Sequence, residues 1–258
     1  MLVFRLEIAP TTTPVPAALG AVNSAAPEVS VVTVAVAGTA RASPASPTTA
    51  ARAGRIRGAY YWPAPAYSCL VPLLTFDDGP DPVFTPRVLD LLAERGARAT
   101  FFCVGAAATE HPDLIRRIAA DGHVLGSHSY THPRAARTLP WRLIADWRAG
   151  RAAVESAAGR PVVPFRPPYG SIGVSGRIAL RALGLAPTLW SVDLLDWAPA
   201  PSAEAIAAGL LAARADDLVL LHDGVFDPVE PSCRDRSATV EGLCLALAAG
   251  LVVTPPAP

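Results

Sequence analysis

The stretch "LLTFDDGPDPVFTPRVLDLLAERGARATFFCVG", Leu73–Gly105, sets two short apolar runs on either side of a segment whose leucines and valines recur at helical spacing. A strand-length run, an amphipathic helix and a second strand-length run make a β-α-β unit. Strands joined through a helix are parallel, because parallel neighbours need a crossover connection where antiparallel ones can share a tight turn.

The same texture continues toward the end of the chain. With "LVPLLTF" and "ATFFCVG", the runs "HVLGSHS", "VVPFRPPY", "APTLWSVDLLDW", "DLVLLHDG" and "GLVVTPP" make seven candidate strands. Between them lie six candidate helices: "TPRVLDLLAERG", "HPDLIRRIAADG", "LPWRLIADWRAGRAAVESAAG", "SGRIALRALG", "SAEAIAAGLLAAR" and "SATVEGLCLALAAG". Most of these end in glycine, which readily takes the left-handed position after a helix. Ser202 with Glu204, and Thr85 with Pro86, supply helix starts. The strands are apolar almost throughout, as suits a parallel sheet covered on both faces. The expected architecture is α/β, a closed or nearly closed β/α barrel of about seven parallel strands, with an open doubly wound sheet as the competing arrangement.

Residues 1–66 are rich in Ala, Pro, Thr, Ser and Val without a sustained periodic face, so they read as a leader or linker and leave residues 67–258 as the folded domain. Within them "VSVVTVAVAGTARA" ends in Ala40-Arg41-Ala42, the small-x-small form of a cleavage site. The segment before it is long, carries Glu28 and has only Arg5 as a basic residue, which makes a poor secretory signal and keeps a cytoplasmic location open. No uninterrupted apolar run is long enough to span a membrane. Formal net charge is zero, which gives no support for a nucleic-acid partner, since phosphate binding usually leaves a basic patch or stripe. The four cysteines form no CxxC pair; Cys103, inside an apolar run, reads as a buried small hydrophobe, and disulfides among Cys69, Cys233 and Cys244 stay open.

Five of the seven runs end in side chains that an apolar core would not choose. "LLTF" leads into Asp77-Asp78-Gly79-Pro80, "HVLGSHS" into His128 and His132, "VVPF" into Arg166-Pro167-Pro168-Tyr169, "TLWSV" into Asp193 and Asp196-Trp197, and "LVLL" into His222-Asp223. Each alone has a plain reading: a turn, loop histidines, a surface ion pair, rim packing. They share one position, however, at the C-terminal ends of strands, and in a β/α barrel those ends gather at the face that holds the active site. H-x-x-x-H on one helical turn brings two imidazoles to the same side, where they can share a metal with a carboxylate from another strand. His111, before a proline at a helix start, and His123, at the start of a strand, read as structural.

In order, "TFDDGP", "HSYTH", "RPPY", "DLLDW" and "VLLH" resemble the five motifs of carbohydrate esterase family 4, the polysaccharide deacetylases with the NodB-homology domain, whose fold is a distorted β/α barrel. The resemblance covers about residues 67–258 and extends to "ATFFCVG", "HPDLIRRIAADGH" and "DRSATVEGL". It implies Asp77 as general base, and Asp78, His128 and His132 as ligands of one divalent metal ion, zinc first, with cobalt, manganese or nickel as alternatives. It further implies that Arg166 orients Asp77, that the backbone amide of Tyr169 lines an oxyanion site, and that Asp196 orients His222, the general acid. Trp197, Leu220 and Pro168 would wall the acetyl pocket. Val219 stands where the last motif begins with leucine, a mild departure.

The implied partner is an acetylated polysaccharide or oligosaccharide, met outside the cell or in its envelope, with a monomer as the expected state. The chemistry agrees: two histidines and one carboxylate leave coordination positions for water and substrate, and no G-x-S-x-G elbow supplies a serine nucleophile. Two other functions compete with N-deacetylation, an esterase acting on O-acetyl groups as in acetylxylan and a carbohydrate-binding module that has lost its chemistry.

Overall fold

A computed structural model describes residues 71–226 and 231–253. The proposed leader or linker at 1–66 lies outside the described residues, as does Cys69. The elements run β1 (Leu73–Asp77), α1 (Phe84–Glu94), β2 (Thr100–Cys103), α2 (Gly105–Glu110), α3 (Pro112–Ala120), β3 (Val124–Ser127), α4 (Pro140–Ala158), α5 (Gly173–Leu183), β4 (Val192–Asp193), α6 (Ala203–Ala212), β5 (Leu218–His222) and α7 (Ser237–Ala248). The strands form one parallel sheet in the order β3-β2-β1-β5-β4.

The expected six helices form close to their foreseen bounds, but the strand count is five among the described residues, not about seven. "VVPFRPPY" contributes only isolated parallel bridges, Phe165 to Ser127 on one side and to Pro187 on the other. Prolines 161, 164, 167 and 168 lack the N–H that a ladder needs, so pairing stops at that one residue. "APTLWSVDLLDW" keeps a two-residue strand, and Leu251–Val253 of "GLVVTPP" pair with nothing in the sheet. Because the ladder is interrupted between Pro187 and Val192, the described hydrogen bonding is that of an open α/β sheet, and barrel closure is not established.

Alternation along the strands sorts the side chains. Leu74, Phe76, Phe101, Leu125, Val219 and Leu221 pack in the main core with α1, α3, α6 and α7, where Phe76 and Phe101 stack at 5.1 Å between centroids. A second cluster sets Trp147 and Leu143 of α4 against Phe165 and Leu180. Full burial of each such side chain contributes about 1.5–3 kcal/mol. The opposite strand face carries Thr75, Asp77, Leu220 and His222, spaced by two residues as the pleat requires.

Helix α1 starts differently from the sequence reading. Asp81 Oδ1 accepts from the amides of Val83 and Phe84 at 2.7 and 3.0 Å, while Thr85 Oγ1 accepts from Asp81 N and donates to Asp223. Ser202 caps α6 as foreseen, accepting from Ala205 N. Cys103, Cys233 and Cys244 are free thiols, the first buried in β2. Among the described residues no helix is long and apolar enough to cross a membrane.

Candidate metal centre and active site

All five polar motifs lie at the C-terminal ends of the strands or bridges that precede them. Asp77 is the last residue of β1 and His222 the last of β5; His128 follows β3, Arg166 follows the Phe165 bridge, and Asp196 follows β4. The backbone there is unusual. Asp78, Ser129, His132, Tyr169 and Leu195 have φ between 54° and 72°, a left-handed region that non-glycine residues seldom occupy. Such strain costs on the order of 1–3 kcal/mol per residue and clusters where side chains must be aimed.

Asp78, His128 and His132 each offer a ligand atom, all within 4.8 Å of one another. Nε2 of His132 and of His128 lie 3.2 and 3.5 Å from Asp78 Oδ1. Oδ1 of Asp78 is buried without a hydrogen-bond partner, an acceptor that a cation would satisfy. His128 Nδ1 is 2.8 Å from the Arg166 carbonyl; donation there leaves the Nε2 lone pair toward the cluster. Burial, helped by His132, lowers the His128 pKa to about 4, so its imidazole is neutral as a ligand must be. Burial opposes ionisation of Asp78, yet His132, His222 and His128 together hold its carboxyl well below the usual range. The donor set fits a divalent cation.

The two histidines do not sit on a helical turn. They bracket a loop in which Ser129 Oγ accepts from His132 N, while Asp146 of α4 accepts from the amides of Tyr130 and Thr131 and from the Thr131 hydroxyl. One turn on, Gly150 lets α4 press against this loop: a Cβ there would lie 2.1 Å from the Ser129 carbonyl carbon.

The neighbouring carboxylate is held otherwise. Arg166 Nη1 donates to Asp77 Oδ1 at 2.7 Å and to the Thr75 hydroxyl at 2.8 Å, and Nε donates to Thr188 O. The guanidinium, fully buried, lies over the Phe102 ring at 4.1 Å. Asp77 Oδ2 faces His128 Nε2 at 3.7 Å. Across the sheet, His222 Nδ1 meets Asp196 Oδ1 at 2.7 Å. Burial works against its charge, but the Asp196 carboxylate, with Asp78 and Asp77 behind it, raises the His222 pKa to about 9.

The remaining expected residues are placed less closely together. The Tyr169 ring packs on His132 at 4.5 Å and has the Arg134 guanidinium over it at 3.6 Å, whereas Leu220 and Pro168 are buried and Trp197 is 48% exposed, its indole donating to Asp193. None of Trp197, Leu220 and Pro168 lines the open cleft of about 220 Å³ beside Asp78, which is bounded by Pro80, Ala106, Glu110, Phe226 and Arg234. His123 accepts from Ala99 N at 3.2 Å, in keeping with a structural reading, whereas His111, between α2 and α3, lines the same cleft. Sequence reading missed Thr75, Asp146, Arg236 and Thr239. Thr75, Arg236 and Thr239 lie inside the stretches "TFDDGP" and "DRSATVEGL" that carry the resemblance, whereas Asp146 showed only as a polar residue in a helix.

A family model for polysaccharide deacetylase matches residues 68–188. A chitooligosaccharide deacetylase of Bradyrhizobium sp. (strain ANU 289) is 42% identical over 176 residues, 66% of this chain and 80% of that one. A peptidoglycan-N-acetylglucosamine deacetylase of Bacillus cereus is 37% identical over 177 residues, 67% and 78% of the two chains. The solved family 4 carbohydrate esterase from Streptomyces lividans, in complex with acetate, superposes with a TM-score of 0.60 at 30% identity, covering 72% of this chain and 92% of that one. The chain belongs to the polysaccharide deacetylases of carbohydrate esterase family 4 and is a hydrolase of that class.

Proposed function

We propose that the protein removes acetyl groups from N-acetylated sugars of chitin-like or peptidoglycan chains, using one divalent metal ion, zinc in the first instance, held by Asp78, His128 and His132. The observation that carries this reading is the pair of differently held groups, Asp77 and His222, side by side next to the three-ligand cluster. When bound, the ion supplies Lewis acidity to an acetyl carbonyl and lowers the pKa of a water.

The chain's own residues divide the proton work. Arg166 holds Asp77 Oδ1, so Oδ2, turned toward His128, takes the proton of the attacking water. Asp196 holds Nδ1 of His222, so Nε2 is the atom that protonates the departing amine. The Tyr169 amide stabilises the tetrahedral oxyanion. Leu220, on the strand face of His222, and Pro168, next but one to Arg166, back the acetyl methyl, and Trp197 covers the rim. A secreted or envelope location goes with such a glycan, and the proposed working state is a monomer. The names of the chitooligosaccharide and peptidoglycan relatives favour N-acetyl over O-acetyl substrates.

Acetate release from chitin oligomers, peptidoglycan and acetylxylan by protein stripped of metal, then reloaded with zinc, cobalt, manganese or nickel, tests the reading. Release restored by metal on the N-acetylated glycans is expected. Full activity without metal, or activity on acetylxylan alone, would overturn it.

A further inference from the structure

Asp196 is fully buried, and three donors converge on its carboxylate. Oδ1 lies 2.7 Å from His222 Nδ1, and Oδ2 accepts from the His222 amide at 2.8 Å and from the Thr239 hydroxyl at 2.9 Å. Two of these donors belong to His222 itself. The third comes from the first turn of α7, 43 residues further along the chain. Arg236, 1% exposed at the start of the same helix, donates from Nη1 to the Asp196 carbonyl at 2.6 Å and from Nη2 to Cys233 O. Side chain and backbone of Asp196 are therefore both tied to the start of α7.

A carboxylate bonded only to the residue it must orient shares that residue's freedom. A donor fixed in a separate helix sets the plane of the carboxylate, so that Oδ1 stays in line with Nδ1–H and the imidazolium keeps its Nε2–H on one aim. We infer that Thr239, seconded by Arg236, is a positioning residue for deacetylation, fixing Asp196 and through it the aim of His222. The inference rests on the reading of His222 as the proton donor to the leaving amine.

That reading makes the effect substrate-dependent. An amine is a very poor leaving group without a proton from His222, whereas an activated aryl acetate releases a stable phenolate. Thr239→Val keeps the side-chain shape and removes the donor. On N-acetylglucosamine oligomers its kcat should fall about 10-fold, the scale of one hydrogen bond to a charged group, with KM and bound metal unchanged. Hydrolysis of an aryl acetate should fall far less. Thr239→Ser should restore the amide rate, and Thr239→Ala should repeat the split if valine disturbs the helix packing. His222→Ala, measured alongside, must show a larger split of the same kind. Equal losses on amide and ester in both hydroxyl-less variants, or an unaltered amide rate, would overturn the positioning role while leaving His222 as the acid. Equal losses in His222→Ala itself would overturn both.

Discussion

Asp77 and His222 are register partners, the last residues of β1 and β5, on adjacent parallel strands. Their partners differ: Asp77 is tied to an arginine and His222 to a carboxylate. The C-terminal end of the sheet thus carries a carboxylate and an imidazole a strand spacing apart, with the Asp78 cluster alongside. Asp77 and Asp78, though consecutive, are separated by the turn of backbone to φ 72° at Asp78, which sends the second carboxylate to the histidines.

The two aspartates should therefore fail differently. Asp78→Asn should lose bound metal and activity together, since it replaces an anionic ligand. Asp77→Asn should keep the metal while turnover falls by about 100-fold or more, the scale of a general base. Metal content by elemental analysis, paired with acetate release, separates the two. A fully active Asp77→Asn protein would assign the base elsewhere.

The raised pKa of His222 predicts a pH profile. A proton donor is present below its pKa, so the activity that depends on His222 holds at neutral pH and declines as pH rises through about 9. Repulsion from a bound cation moves that limb down. In Asp196→Asn the opposite charge is gone, and the alkaline limb should move to lower pH by about 1–3 units. The kcat/KM profile on an N-acetylated oligomer measures it; an unmoved limb would mean that another group titrates there.

The loop between His128 and His132 depends on α4. Asp146→Ala removes the acceptor for three donors of Tyr130 and Thr131 and should weaken metal binding by about 10-fold or more, as removing the groups that support metal ligands does. Gly150→Ala would drive a methyl into the Ser129 backbone and should cost metal affinity more severely. Metal dissociation constants from competition with a chelator decide both, with far-ultraviolet circular dichroism showing whether the helices persist.

Much of this site was legible because its residues break an apolar pattern at a fixed place, the end of a strand. Asp77, His128, Arg166, Asp196 and His222 all stand out that way. Two things were not legible. Spacing alone suggested a helical turn for His128 and His132, but Ser129 and His132 take positive φ, a backbone state that few non-glycine residues adopt and that spacing does not reveal. The strand count was overestimated because hydrophobicity marks burial, not pairing: Val162 and Phe165 are buried, yet the prolines around them leave few amides to pair. Helix α2, "GAAATE", escaped because its small residues show no apolar face. Asp146 and Thr239 look like ordinary helix residues until the loops that they hold are folded against them.

The last prediction concerns Asp223, a buried carboxyl that accepts from the Thr85 hydroxyl at 2.5 Å and stands where any side chain on Gly79 would collide with it, 2.3 Å from a Cβ at that position. Burial, together with the charges of Asp77 and Asp78 and against the pull of Thr85, raises its pKa to about 7. A carboxyl with a raised folded pKa binds its proton more tightly folded than unfolded. It has no effect on stability below the unfolded value near 4, destabilises progressively as pH climbs from there to about 7, and levels off above. Asn in its place can still accept from Thr85 without ever ionising. Metal-free Asp223→Asn protein should therefore gain stability over wild type at pH 8 by on the order of a few kcal/mol and gain far less at pH 4. Urea unfolding of both proteins in chelator at the two pH values measures the difference. A gain independent of pH would show that Asp223 is not protonated in the fold, and that its contact with Thr85 is an ordinary bond to a charged carboxylate.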